Sequence, residues 1–121
     1  MKANRVKQLL KEGKPAIGTW VTIGHPEITD ILSRFGYDWV LFDSEHGPLD
    51  IETLQVMMQA MANSETVPLV RVARNDPLLI NKALDMGAGG VVIPLVNSRE
   101  EALSAVSACR YPPRGTRGVG P

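Results

Sequence analysis

The sequence has one cysteine, no surplus of either charge (13 acidic and 13 basic residues) and no long apolar run. Each shortage excludes something. Cys109 has no partner in the chain for a disulfide, and it falls on the apolar positions Ala102, Ala105, Val106 and Cys109 of a predicted helix, where a small core residue is expected. Lys and Arg gather on no predicted element, so neither nucleic acid nor anionic lipid has an electrostatic footprint to bind. The apolar stretches fall far short of a membrane span, and the opening MKANRVKQLLKEGK lacks the apolar core of a signal peptide. A cytoplasmic protein acting on a small or metal-bound ligand is expected. With 44% hydrophobic residues, the composition suits one globular unit or part of a larger one.

What is present is a repeating order of elements. A short helix is predicted from Asn4 to Gly13, with Val6, Leu9 and Leu10 on one face. The strand-like Ala16–Val21 follows, then a helix with Ile28, Ile31, Leu32 and Phe35 inward and Gly36 as its stop. Trp39-Val40-Leu41-Phe42 reads as a buried strand. Asp50 is the expected N-cap of a helix that turns Ile51, Leu54, Met58 and Met61 to the core, and the strand Val67–Val72 comes next. Asp76 as N-cap, Pro77 at the first position, Ile80, Ala83 and Leu84 inward and Gly87 as stop mark another helix. Gly90–Pro94 is the last strand. Ser98 and Glu101 form a capping box for the last helix, ended by Pro112-Pro113, and RGTRGVGP is left as an irregular tail.

Helices between strands that are apolar on both faces indicate an α/β fold with a parallel sheet and right-handed crossovers. Strand starts recur every ~23 to 28 residues, a unit length shared by doubly wound sheets and barrels. Four βα units preceded by a short helix make half of a (β/α)8 TIM barrel, which takes about 250 residues. Residues 1–121 are therefore expected to be a partial barrel domain, truncated after the fourth unit. A bare half has an unpaired sheet edge and an uncovered inner face, which predicts self-association or instability.

Chemistry in such folds collects where the strands end. The stretch FDSEHGPLD, residues 42–50, puts Asp43, Glu45 and His46 directly after the second strand. Arg71 ends the third, and Pro94 and Asn97 follow the fourth. A histidine beside a carboxylate can serve as general base near neutral pH; Asp43 or Glu45 could orient it, and the other could face a divalent cation. Arg71 supplies a planar fork for a carboxylate. Spacing alone leaves open a plainer arrangement, in which Asp43 and His46 cap the following helix and Arg71 pairs with a local acid.

The ordered motifs D-x-E-H-G after strand two, an arginine in strand three, A-L-D-x-G-A, and Y-P-P-x-G-x-R-G resemble the HpcH/HpaI family of metal-dependent class II pyruvate aldolases, over about Gly18 to Pro121. The resemblance implies the N-terminal half of a phosphoenolpyruvate/pyruvate-type barrel that cleaves 2-keto-4-hydroxy acids to pyruvate and an aldehyde. By it, His46 is the catalytic base, Asp43 its paired acid, and Arg71 the holder of pyruvate. Glu45 and Asp85 match acidic positions around the metal and its waters, while Trp20 and Pro94 line the substrate pocket. The cofactor implied is Mg²⁺, Mn²⁺ or Co²⁺, with its direct ligands, a glutamate and an aspartate, on later strands beyond residue 121. A homo-oligomer is implied for the full-length enzyme, and Arg114 and Arg117 in the tail are placed at the mouth of the site. No lysine ends a strand, Lys82 being on a helix, which agrees with a metal route rather than a Schiff base. His25, in the loop GHP, is expected only to start a helix. Two alternatives stand beside the aldolase: a non-catalytic half-barrel that needs a complementary half, and a citrate-lyase-like enzyme acting on acyl thioesters.

Overall fold

The computed structural model describes residues 3–120; the ends of the expected domain, Met1, Lys2 and Pro121, lie outside the described residues. Helix α1 (Arg5–Lys11) precedes four βα units: β1 (Gly18–Val21) and α2 (Pro26–Ser33), β2 (Trp39–Asp43) and α3 (Ile51–Ala60), β3 (Val67–Arg71) and α4 (Pro77–Asp85), β4 (Gly90–Val92) and α5 (Arg99–Ala108). The helix starts follow their caps. Asp50 and Asp76 accept backbone N–H groups of Thr53 and Leu78, and Ser98 and Glu101 close the capping box in both directions. Gly87, at φ +104°, takes the left-handed turn that ends α4.

The four strands are parallel and lie in the order β1-β2-β3-β4. A doubly wound sheet would reverse its order at a switch point; sequential neighbours joined by right-handed crossovers put every helix on one side, as in one half of a (β/α)8 barrel. That side holds the core: Val21, Val40, Phe42, Val70 and Val72 from the sheet region meet Leu54, Met57, Met58, Met61, Ile80, Ala83 and Ala108. By strand alternation the opposite face carries Trp20, Leu41, Asp43, Leu69, Arg71 and Val92. This face is the inside of the half-barrel.

Several apolar residues lie elsewhere than expected. Leu10 is exposed and α1 buries nothing. On α2 the inward stripe is Ile28, Thr29 and Leu32, so Ile31 points to solvent; Phe35 lies just past the C-cap Arg34, with 70% of its surface exposed. An i, i+3, i+4 pattern on a helix this short fits two neighbouring stripes, and only packing chooses. On α5, Ala105 and Ala108 are buried while Ala102 and Val106 are exposed. Cys109 is the C-cap, half-buried, with its thiol pushed up by burial. The helix ends at Ala108, four residues before Pro112, with the carbonyls of Val106 and Ser107 already met by cap N–H groups.

At the N-terminal ends of the strands, α1 is tied across the sheet. Asn4 donates through Nδ2 to the Gly89 carbonyl at 2.9 Å, Arg5 pairs with Asp38 at 3.0 Å, and Asp38 accepts the Ile17 N–H at 2.8 Å. No helix among the described residues is long and apolar enough to cross a membrane.

Candidate active site

At the opposite rim, Asp43 and Arg71 are register partners as the last residues of adjacent strands. Both are on the inner face, and their side chains meet as a fork. Arg71 donates from Nε to Asp43 Oδ1 at 2.8 Å and from Nη2 to Oδ2 at 2.5 Å. Asp43 Oδ1 also accepts the backbone N–H groups of Glu45 (3.1 Å) and His46 (3.3 Å). The Arg71 guanidinium holds the Asp43 carboxyl down at about 2, against the opposing effect of burial, with the two backbone N–H groups assisting. Asp43 in turn raises Arg71 above the ordinary arginine value.

The loop after β2 is folded back on itself. Gly47 donates to the Asp43 carbonyl at 3.1 Å, and a Cβ at Gly47 would lie 2.4 Å from that same oxygen. The glycine of D-x-E-H-G is therefore required by space. Ser44 adds a second tie, donating from both its backbone N (3.0 Å) and Oγ (2.7 Å) to the Arg71 carbonyl. The sequence pattern contained both residues, but only their contacts across strands reveal these roles.

Glu45 lies between the cation and the histidine. Its Oε2 is 3.2 Å from Arg71 Nε and its Oε1 is 3.8 Å from His46 Nε2, the latter beyond hydrogen-bonding reach. The His46 side chain is 71% exposed. Asp43 thus reaches only the backbone N–H of His46 and not its ring, a correction to the expected pairing: its oxygens are already committed to Arg71 and the turn. The ring's carboxylate neighbour is Glu45. The indole of Trp20 lies over the Arg71 guanidinium, 4.6 Å from ring centroid to Cζ.

The remaining expected residues divide between the two ends of the barrel. Pro94 is half-buried just past β4, at the same rim. Beside it Leu95 is exposed with φ +55°, a left-handed conformation rare for leucine. Asn97 is bound into the start of α5, its N–H on Glu101 and its amide on the Leu95 carbonyl. His25 caps α2, Nδ1 accepting the Glu27 N–H at 3.3 Å. Asp85, however, ends α4, and helices in this fold run back from the rim, so it is at the far end of the barrel from Asp43 and Glu45. There it accepts from Arg117 Nη2 at 2.8 Å. The tail is at that far end too, a second correction to the expected placing of Arg114 and Arg117 at the mouth. Thr116 and Arg117 donate to the carbonyls of Ser107 and Arg110, and Arg117 stacks on Tyr111 at 4.7 Å.

The geometry offers an exposed imidazole beside a carboxylate, next to a guanidinium held on one edge and one face. Comparison with known proteins agrees with the motifs. The family model described as HpcH/HpaI aldolase/citrate lyase matches residues 16–120. A hydroxypyruvate/pyruvate aldolase of Paraburkholderia phytofirmans is 42% identical over 97% of this chain, and a 4-hydroxy-2-oxo-heptane-1,7-dioate aldolase of Salmonella dublin 43% identical over the same share. The chain spans 44% of the length of each. The crystal structure of an HpcH/HpaI aldolase/citrate lyase family protein from Burkholderia cenocepacia superposes with a TM-score of 0.90 at 33% identity, over 98% of this chain and 49% of that one. With its motifs, its half-barrel and these matches in agreement, the chain belongs to the HpcH/HpaI aldolase/citrate lyase family.

Proposed function

We propose that this chain supplies the general base and the carboxylate clamp of a pyruvate aldolase acting on 2-keto-4-hydroxy acids. The observation that carries the reading is the meeting of Arg71, Asp43, Glu45 and His46 at one rim, from two adjacent strand ends. In cleavage, His46 takes the proton from the C4 hydroxyl, the C3–C4 bond breaks to release the aldehyde, and its electron pair passes into the enolate of pyruvate. Arg71 holds the substrate carboxylate and faces the developing enolate oxygen. Protonation at C3 then gives pyruvate. Glu45 Oε1, 3.8 Å from Nε2, is the carboxylate oxygen beside the ring.

The divalent cation implied by the resemblance would act as a Lewis acid on the keto acid. The donor set of this chain does not fit it as a directly bound ion. Both Asp43 oxygens and Glu45 Oε2 are already engaged by Arg71, and no group of three His, Cys, Asp or Glu among the described residues is arranged to hold a metal. The citrate lyase half of the family description favours a second reading, in which the same base and clamp act on an acyl thioester.

Pyruvate release from a 4-hydroxy-2-keto acid with Mn²⁺ or Mg²⁺, followed by coupled NADH oxidation, tests the proposal. The expected result is turnover that His46→Ala lowers by about 10²- to 10⁴-fold, with stability changed by under ~0.5 kcal/mol because the ring is exposed. Turnover that survives His46→Ala refutes the role, and turnover of an acyl thioester alone selects the second reading. A chain that neither releases pyruvate nor binds it at Arg71 refutes the clamp.

A further inference from the structure

We propose that Trp20 is a positioning residue, fixing the plane of the Arg71 guanidinium so that only its terminal Nη1/Nη2 fork is presented to a planar carboxylate. The part played by that carboxylate rests on the reading proposed above; the stacking geometry does not. Arginine is a long side chain with many rotamers, and a fork binds well only when it is held before the ligand arrives. Asp43 takes the Nε/Nη2 edge and Glu45 approaches the same Nε. Contacts along one edge still let the plane swing about that edge, as a page swings about its binding. A ring on the face, at 4.6 Å, removes that freedom.

The placement across the sheet supports this. Trp20 is on β1 and Arg71 on β3, with β2 between them: Trp20 pairs in register with Leu41, and Leu41 with Leu69, two residues before Arg71. Leu41 is 3% exposed although no helix covers its face of the sheet, the burial expected beneath a roof formed by its neighbours. Trp20 itself keeps 48% of its surface exposed, which a core tryptophan would not. No described residue accepts from Arg71 Nη1, so the edges used by Asp43 and Glu45 and the face covered by Trp20 leave the terminal fork open.

The test uses the 121-residue chain labelled with ¹⁵N, the Arg71 Nε–H resonance and pyruvate as the probe. In the wild type the indole ring current is expected to displace that resonance from the position it takes when only the bond to Asp43 acts on it. Trp20→Phe should keep part of the displacement and hold the Kd for pyruvate within about two-fold. Trp20→Leu should abolish it and weaken binding about 3- to 10-fold, the range of a part-exposed cation–π contact. The same Nε–H resonance in the wild type and in Trp20→Leu overturns the proposal, as does equal weakening by Phe and Leu in chains whose amide spectra are otherwise unchanged. If pyruvate leaves Arg71 undisturbed in the wild type, the carboxylate clamp and the presentation of the fork both fail. The ring-current comparison then still decides where Trp20 sits.

Discussion

Replacing Asp43 with asparagine isolates the contact on which the rim depends. Oδ1 receives three donors, from Arg71 Nε and the N–H groups of Glu45 and His46, while Oδ2 receives Arg71 Nη2. An asparagine must leave its oxygen with the first three, which turns its NH₂ toward Nη2, donor against donor. With the native carboxyl at about 2 in place of its ordinary 3.8, its ionised form contributes about 2 kcal/mol to folding at neutral pH. Solvent above the open rim trims this to between about 1 and 2 kcal/mol. Because the folded value is the lower one, the contribution is fully present above about pH 5 and is lost as the pH falls toward 2. Urea unfolding of both proteins across pH 2.5 to 7 is the assay. The variant should unfold at about 1 M less urea at pH 7, with the gap closing as the solution is acidified. Other carboxyls held low, such as Asp50 and Asp76 at their caps, titrate equally in both proteins and cancel in the difference. A gap of the same size at pH 2.5 and pH 7 would refute the assignment of Asp43 as an ionised partner of Arg71.

Two further substitutions test the two ends of the barrel. Gly47→Ala brings a methyl within 2.4 Å of the Asp43 carbonyl oxygen, so a cost of about 2 kcal/mol or more is expected, seen as a fall in Tm of roughly 8 °C or more; an unchanged Tm would show that the turn opens freely. Arg117→Ala removes the Asp85 contact and the stacking on Tyr111 from a side chain only 15% exposed. A loss of about 1 kcal/mol should raise the open population of the tail roughly five-fold, read as faster tryptic cleavage after Arg110 and Arg114, and an unchanged cleavage rate would mean that the tail is held by its backbone bonds alone.

Features legible along the chain are those whose causes are local. The caps at Asp50, Asp76 and Ser98 and the glycine stop of α4 each involve partners within a few residues, so residue type and spacing settle them before any packing. The motif around His46 was equally visible, and the family with it. The choice of carboxylate was not: Asp43 and Glu45 are two positions apart, and which one meets the ring depends on Arg71 arriving from 28 residues further along to claim Asp43. Asp85 and Arg117 looked like parts of the site because they belong to the same ordered motifs, yet the run of α4 and α5 back from the rim carries them to the other end.

The sequence by itself therefore determined the number, type and order of the elements, their caps and the chemistry available at each strand end. Tertiary structure alone decided that the strands lie in sequential order, which excludes a doubly wound sheet, and which stripe of each short helix is buried. It also decided that the Trp20 ring lies over the Arg71 guanidinium across an intervening strand. The physical reason is the range of the interactions: a cap or a turn closes within one loop of chain, whereas strand pairing and the stacking of Trp20 on Arg71 join residues far apart in sequence, and no local pattern encodes which of many such closures the whole chain prefers.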